Sequence, residues 1–212
     1  MTKYTEIIYP QDENNTYPKQ FCDYIYNRFF KDGGNSLKIL DIGCGKSKVP
    51  GSIGVDFNPS ISPDVVHDLN QFPYPFEDDE FDEVHIIDTL FLLNNPVKVM
   101  EEVYRMCKTK GIIFVTQPYF RSVYSYIDPW IKNFATAHSF AWYDPNDLIC
   151  NRYDYTSARF ATEKIIFDNH LLSPGIIRRL FIMLANRFPR KYELYLSHLF
   201  PLDQISFHLR KL

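Results

Sequence analysis

At 212 residues, with 45% hydrophobic and 23% charged residues, the chain suits one domain with a core of ordinary size. A net charge of −3 with no long basic tract argues against a nucleic-acid backbone as partner; the polar start MTKYTEIIYPQDENN argues against a signal peptide, and no apolar run reaches the roughly 18 residues of a membrane span. Cys22, Cys44, Cys107 and Cys150 lie far apart and the histidines are scattered, so no metal site is expected; the cysteines fit a reducing, cytoplasmic setting, although four could also make two bridges.

Residues 1–16 read as a loose polar arm. In Pro18–Lys31, Phe21, Tyr24, Ile25 and Phe29 share one helical face, and Asp32-Gly33-Gly34-Asn35 ends the helix. Leu37–Ile42 is a short apolar strand that runs straight into a glycine loop. Ser52–Asp56 is a second strand, Asp64–His67 a short third, Asp82–Asp88 a fourth and Gly111–Gln117 a fifth. Between the last two, a helix opens at Pro96 with Asn95 as cap. Its apolar face is Val97, Met100, Val103, Tyr104 and Cys107, and it runs on to Lys108 and Lys110 before Gly111. This strand–helix–strand unit implies parallel strands joined by a right-handed crossover. Beyond it the pattern predicts a helix near Asn146–Asn151, a strand near Phe160–Phe167 and a helix from Pro174 to about Arg187 capped by Ser173. A short helix around Tyr192–Phe200 and a last strand Ile205–Arg210 follow. Strands alternating with helices predict an α/β fold with a mainly parallel sheet.

Ligands of such sheets bind beyond the carboxyl ends of the strands. The loop Asp41-Ile42-Gly43-Cys44-Gly45 therefore marks a cofactor site, since Gly43 and Gly45 let the backbone turn sharply and approach a ligand; by itself it also reads as a tight turn. Asp56 ends the second strand, eleven residues after Gly45, where an acid can accept from both hydroxyls of a ribose; alone it reads equally as a turn aspartate before Phe57-Asn58-Pro59, and the glycine loop favours the ribose. The dinucleotide fingerprint G-x-G-x-x-G is incomplete, because Lys46-Ser47-Lys48 supplies no third glycine. An acid at Asp41 also suits a cationic ligand better than a pyrophosphate.

These segments together resemble the class I S-adenosylmethionine (SAM)-dependent methyltransferases. LDIGCG at Leu40–Gly45 is similar to the first motif of that family, GVDFNPS at Gly54–Ser60 to the acidic second, and HDLNQFPYPFEDDEFDEVHIID at His67–Asp88 to the adenine-holding stretch and fourth strand. EEVYRMCKTKGIIFVTQPYF at Glu101–Phe120 is similar to the helix and strand that follow. The resemblance implies a Rossmann-like fold, with a seven-stranded-type sheet flanked by helices, and one domain over residues 1–212 in which residues 118–204 include the acceptor-side cover and a helical insertion. It implies that Asp41, Gly43, Cys44 and Gly45 cradle the methionine part of SAM. Asp56 would hold the ribose, Phe57 pack on the adenine, Asp68 and Leu69 meet its edge, and Asp88 face the methyl region. PYFRSVYSYIDP and the carboxyl-terminal FPRKYELYLSHLFPLDQISFHLRKL further resemble methyltransferases associated with polysaccharide or glycan genes, a likeness that says little about the acceptor; the expected acceptor is an unidentified small molecule or glycan.

The chain departs from the family in three places. Ser47 stands where many relatives carry a third glycine. The connections from Gly45 to Gly54 and between the second and third strands are too short for helices, so a shortened edge is expected around strands 2 and 3. Leu90-Phe91-Leu92 replaces a Leu-Glu-His that relatives often carry, and Ile131 stands where a histidine often follows Asp-Pro. No catalytic base can be named; His138 and Tyr119 fall in the region that covers the acceptor, but a lone His or Tyr there is more often structural. A non-catalytic SAM-binding or interaction protein is the competing reading. PGIIRRLFIMLANRFPR, Pro174–Arg190, is amphipathic and arginine-rich. It is read first as core-facing or dimer-facing, with contact to anionic lipid as the lesser reading.

Overall fold

The computed structural model describes residues 37–152, 155–168 and 176–212. The loose arm, the helix expected at Pro18–Lys31 and the Ser173 cap lie outside those residues.

Seven strands form one sheet: Ile39–Ile42 (β1), Ile53–Asp56 (β2), Val65–Val66 (β3), Phe81–Ile87 (β4), Cys107–Pro118 (β5), Phe160–Asp168 (β6) and Gln204–Lys211 (β7). Their spatial order is β3-β2-β1-β4-β5-β7-β6. The pairings from β3 through β5 are parallel, while β7 runs antiparallel to both β5 and β6. The fold is the expected α/β class, with its parallel part carrying the site.

Alternation along the central strands sets the core. Leu40 and Ile42, Val84 and Ile86, and Ile113 and Val115 are fully buried and pack with Val99, Met100, Val103 and Met106 of the helix Pro96–Met106 (α1). Each such burial contributes about 1.5–3 kcal/mol, which fixes the register of the strands. The alternate residues Asp41, Glu83 and His85 are polar yet also buried.

Asn95 caps α1 as expected, its Oδ1 accepting from Lys98 N at 3.1 Å. The helix stops at Met106, four residues before the predicted end. Cys107 is buried, pairs with Phe81 and starts β5, and Lys108 turns to pair with Asp82 at 2.9 Å. No α-helix forms over Asn146–Asn151. Asp144 Oδ1 accepts from Asn146 N and Asp147 Oδ1 from Ile149 N, each at 3.0 Å, and these local bonds hold the backbone in turns that end in a 3₁₀ turn at Cys150–Arg152. A four-residue helix, Tyr124–Ile127 (α2), lies in the cover segment. The late helices are Ile176–Arg187 (α3) and Pro189–Tyr195 (α4). The latter begins three residues before the expected Tyr192 because Pro189 presets the first helical turn.

The edge beside β1 is stripped down as expected. No helix joins β1 to β2: the loop is held by Gly43 N donating to Val55 O at 2.8 Å and Val49 N donating to Asp41 Oδ2 at 2.8 Å. β3 pairs through two residues alone.

Candidate active site at the carboxyl ends of the strands

Four strands end on one cavity of about 870 Å³, within the roughly 300–1,000 Å³ usual for small-molecule sites. Every sequence-predicted site residue lines it: Asp41, Gly43, Cys44 and Gly45 from β1 and its loop, Asp56 and Phe57 from β2, Asp68 and Leu69 after β3, and Asp88 after β4.

The two loop glycines do different things. Both have left-handed backbones, with φ of 71° at Gly43 and 51° at Gly45. A Cβ on Gly43 would lie 2.3 Å from Thr89 Oγ1, so this glycine lets the β1 loop close against the end of β4. A Cβ on Gly45 would meet nothing nearer than 4.0 Å. It would project into space that a ligand's backbone-hugging group can occupy.

Asp56 is buried and ties the two loops together. Its Oδ2 accepts from Gly45 N at 3.1 Å and its Oδ1 from Asn58 N at 2.9 Å. Each oxygen keeps a further lone pair for a ligand hydroxyl. Asp68 Oδ1 accepts from Asn70 N at 3.0 Å, and that backbone bond holds its carboxyl below the usual range.

Asp41 and Asp88 are pushed the other way. Burial raises Asp41 to about 6, against the Val49 N–H bond that favours its charged form. Burial raises Asp88 to about 7, opposed by a donor from Gln204 on β7. Asp88 also holds a left-handed backbone, with φ of 48°, a conformation that costs an L-residue about 1–2 kcal/mol. Its N–H donates to Thr116 O at 2.8 Å. Burial, reinforced by Asp41 and Asp56, pushes the Cys44 thiol up to about 11, so it stays protonated and is no nucleophile.

Five aspartates line the cavity (the fifth is Asp128) against Lys46 and Lys132. The net negative lining suits a cationic ligand.

The sequence did not single out Thr89, Leu92, Leu93, Trp130 or Lys132 as lining residues. Trp130 is 71% exposed at the rim. Its loop is pinned across the cavity mouth by Lys132 N and Asn133 N, which donate to Phe91 O at 2.9 and 3.1 Å. Leu90 and Phe91 turn inward, while Leu92 and Leu93 give the mouth an apolar wall. The Leu90-Phe91-Leu92 departure thus reads as packing. His138 and Tyr119 do not line this cavity. His138 Nδ1 meets Glu193 Oε1 at 3.1 Å, and Tyr119 is buried edge-on to Phe167.

Residues 40–115 match the family model described as a methyltransferase domain. Among solved structures, a SAM-dependent methyltransferase from Archaeoglobus fulgidus is similar over 99% of each chain at 17% identity, with a TM-score of 0.54. A SAM-dependent methyltransferase from Mesorhizobium loti is similar over 90% of this chain and 97% of its own, at 13% identity and a TM-score of 0.53. A chain of the complex between the Haloferax volcanii Trm112 methyltransferase activator and a methyltransferase is similar over 84% of this chain and 83% of its own, at 15% identity and a TM-score of 0.54. At these identities the likeness speaks to the fold. No curated protein sequence matches the chain.

Proposed function

We propose that this chain is a SAM-dependent methyltransferase and that it methylates a small-molecule or glycan acceptor at the mouth of the strand-end cavity. The observation that carries this reading is the acid-lined cavity closed by Gly43, Gly45 and Asp56, with an apolar and aromatic mouth.

SAM brings a methyl group already activated on a sulfonium, so the protein's task is chiefly binding, orientation and exclusion of water. The backbone at Gly43 and Gly45, with Asp41 and Cys44, cradles the methionine end. Asp56 accepts from the ribose hydroxyls, Phe57 packs on the adenine face, and Asp68 and Leu69 meet the adenine edge. Asp88 faces the methyl region, where a carboxylate in a dry wall favours the cationic centre. Leu92 and Leu93 keep water from the transfer path, and Trp130, Asp128 and Lys132 offer an acceptor one flat face, one carboxylate and one ammonium. That mixture suits a small polar ring better than a polyanion.

The seven described strands, drawn from Ile39 to Lys211, belong to one sheet, which supports one methyltransferase domain in which residues 118–204 include the acceptor-side cover and a helical insertion. Cys44, Cys107 and Cys150 are free and buried, which supports a reducing, cytoplasmic setting. No described helix is long and apolar enough to cross a membrane.

The test is calorimetry with SAM on the parent chain and Asp56→Ala, followed by a methyl-transfer screen over sugar and small-molecule acceptors. Binding that Asp56→Ala weakens, with label passed to a sugar or small molecule, supports the reading. No SAM binding by the parent sinks it. Tight binding with no transfer to any acceptor moves the choice to the interaction-protein reading.

A further inference from the structure

We propose that α3 docks this protein on an anionic membrane surface. The sequence favours a core-facing or dimer-facing helix, but the structure buries Ala185 alone in this element. Ile176 is 89%, Leu180 48% and Met183 60% exposed. With Arg187, they fall at spacings of four, three and four residues, which is one line along a helix of about 18 Å. An exposed apolar line of this kind on a folded surface marks a contact site.

The surrounding charge identifies the occupant. From Ile176 to Tyr192 the chain carries Arg178, Arg179, Arg187, Arg190 and Lys191 and no carboxylate, in a protein of net charge −3. Arg190 is taken up by an ion pair with Asp147. Arg187 and Lys191 flank the half-exposed Phe188 ring, with their cationic groups 5.1 and 5.6 Å from its centre. A second copy fits poorly. A twofold contact sets the same patch against itself, so the cations of one copy would meet the cations of the other, and the acids that border the Arg187–Lys191 end are already engaged, Asp147 by Arg190, Glu163 by Arg210 and Asp144 by the N–H groups of Asn146 and Thr162. An anionic lipid surface accepts both the apolar line and its cations.

The apolar surface continues into the loop after α4. Phe200 stacks on Phe181 of α3 at 3.7 Å, and Ile177, Leu199 and Phe200 border a shallow depression of about 410 Å³. The helix is therefore braced from below, while among the described residues its outer line stays open.

The experiment is co-sedimentation of the full chain with phosphatidylcholine vesicles and with equimolar phosphatidylcholine–phosphatidylglycerol vesicles, at low and high salt. The parent pellets with the mixed vesicles at low salt and is released by high salt. Leu180→Ser with Met183→Ser lowers the vesicle affinity about tenfold through the loss of two apolar anchors. Arg179→Glu with Lys191→Glu does the same while leaving the apolar line intact, and an unchanged melting temperature for either variant shows that the fold is kept. The proposal is overturned if the parent stays in solution with the mixed vesicles, or pellets equally with phosphatidylcholine alone. It is equally overturned if both variants bind like the parent, or if light scattering finds a dimer that Leu180→Ser with Met183→Ser dissolves and no vesicle binding. Vesicle binding needs no cofactor, so failure here leaves the methyltransferase reading untouched.

Discussion

Gln204 Nε2 donates to Asp88 Oδ1 at 3.1 Å and to Oδ2 at 3.3 Å, joining β7 to the acid at the end of β4 across 116 residues of chain. The bond holds in place a carboxyl that burial has raised to about 7 from the ordinary 3.8.

That shift makes stability depend on pH in a stated direction. Between about pH 4 and pH 7 the folded chain keeps a proton on Asp88 that the unfolded chain has released, so stability falls as pH rises through this window. Asp41, raised to about 6, acts in the same sense. Asp88→Asn removes the Asp88 share. In urea unfolding at pH 5 and pH 8, the variant gains on the parent at the higher pH, by up to ~2.7 kcal/mol for the roughly two units of the window that lie above pH 5. Parallel pH profiles for the two proteins would contradict the assignment.

Asp56 anchors the site through Gly45 N and Asn58 N as well as through any ribose it holds. Asp56→Ala removes a charged acceptor and loosens the glycine loop. A loss of about 1.5–3 kcal/mol, roughly 10–100-fold in SAM affinity, is expected by calorimetry. Binding equal to that of the parent would remove the ribose role from Asp56.

The two glycines should separate folding from binding. Gly43→Ala forces a Cβ to within 2.3 Å of Thr89 in a left-handed backbone, so it should cost about 2 kcal/mol or more of stability. Gly45→Ala meets only open cavity, so its fold cost should stay near the ~1 kcal/mol of backbone strain while SAM binding is lost. Melting curves and calorimetry on both variants check this; equal stability losses with equal residual binding would refute the division.

Binding a sulfonium and an ammonium beside Asp41 and Asp88 should drive both carboxyls toward their charged forms. SAM binding near pH 6.5 should therefore release protons, read as a dependence of the calorimetric heat on the ionisation enthalpy of the buffer. Asp88→Asn should reduce the release. Heats that are the same in every buffer would place the cationic groups elsewhere.

The site was legible in the sequence wherever its residues end strands. In a parallel sheet the strand order gathers the carboxyl ends, so LDIGCG, Asp56, Asp68 and Asp88 could be read as one site from spacing and resemblance alone. The mouth was less legible. Trp130 reaches the cavity because its loop is pinned to Phe91 O, a contact between segments about 40 residues apart that no local pattern encodes. No helix forms at Asn146–Asn151, because Asp144 and Asp147 each accept from the N–H two residues on and close local turns there instead.

By itself the sequence determined the α/β class, the glycine loop and its acids, and the stripped edge at β3, because each rests on local periodicity, turn chemistry and the length of a connection. Tertiary structure alone decided that Gly43 serves the Thr89 contact while Gly45 fronts open space, that Asp88 is partly buried and held by Gln204, and that α3 turns its apolar line outward. Those outcomes depend on which distant segments exclude water from a given side chain, and burial of that kind exists only once the chain has packed.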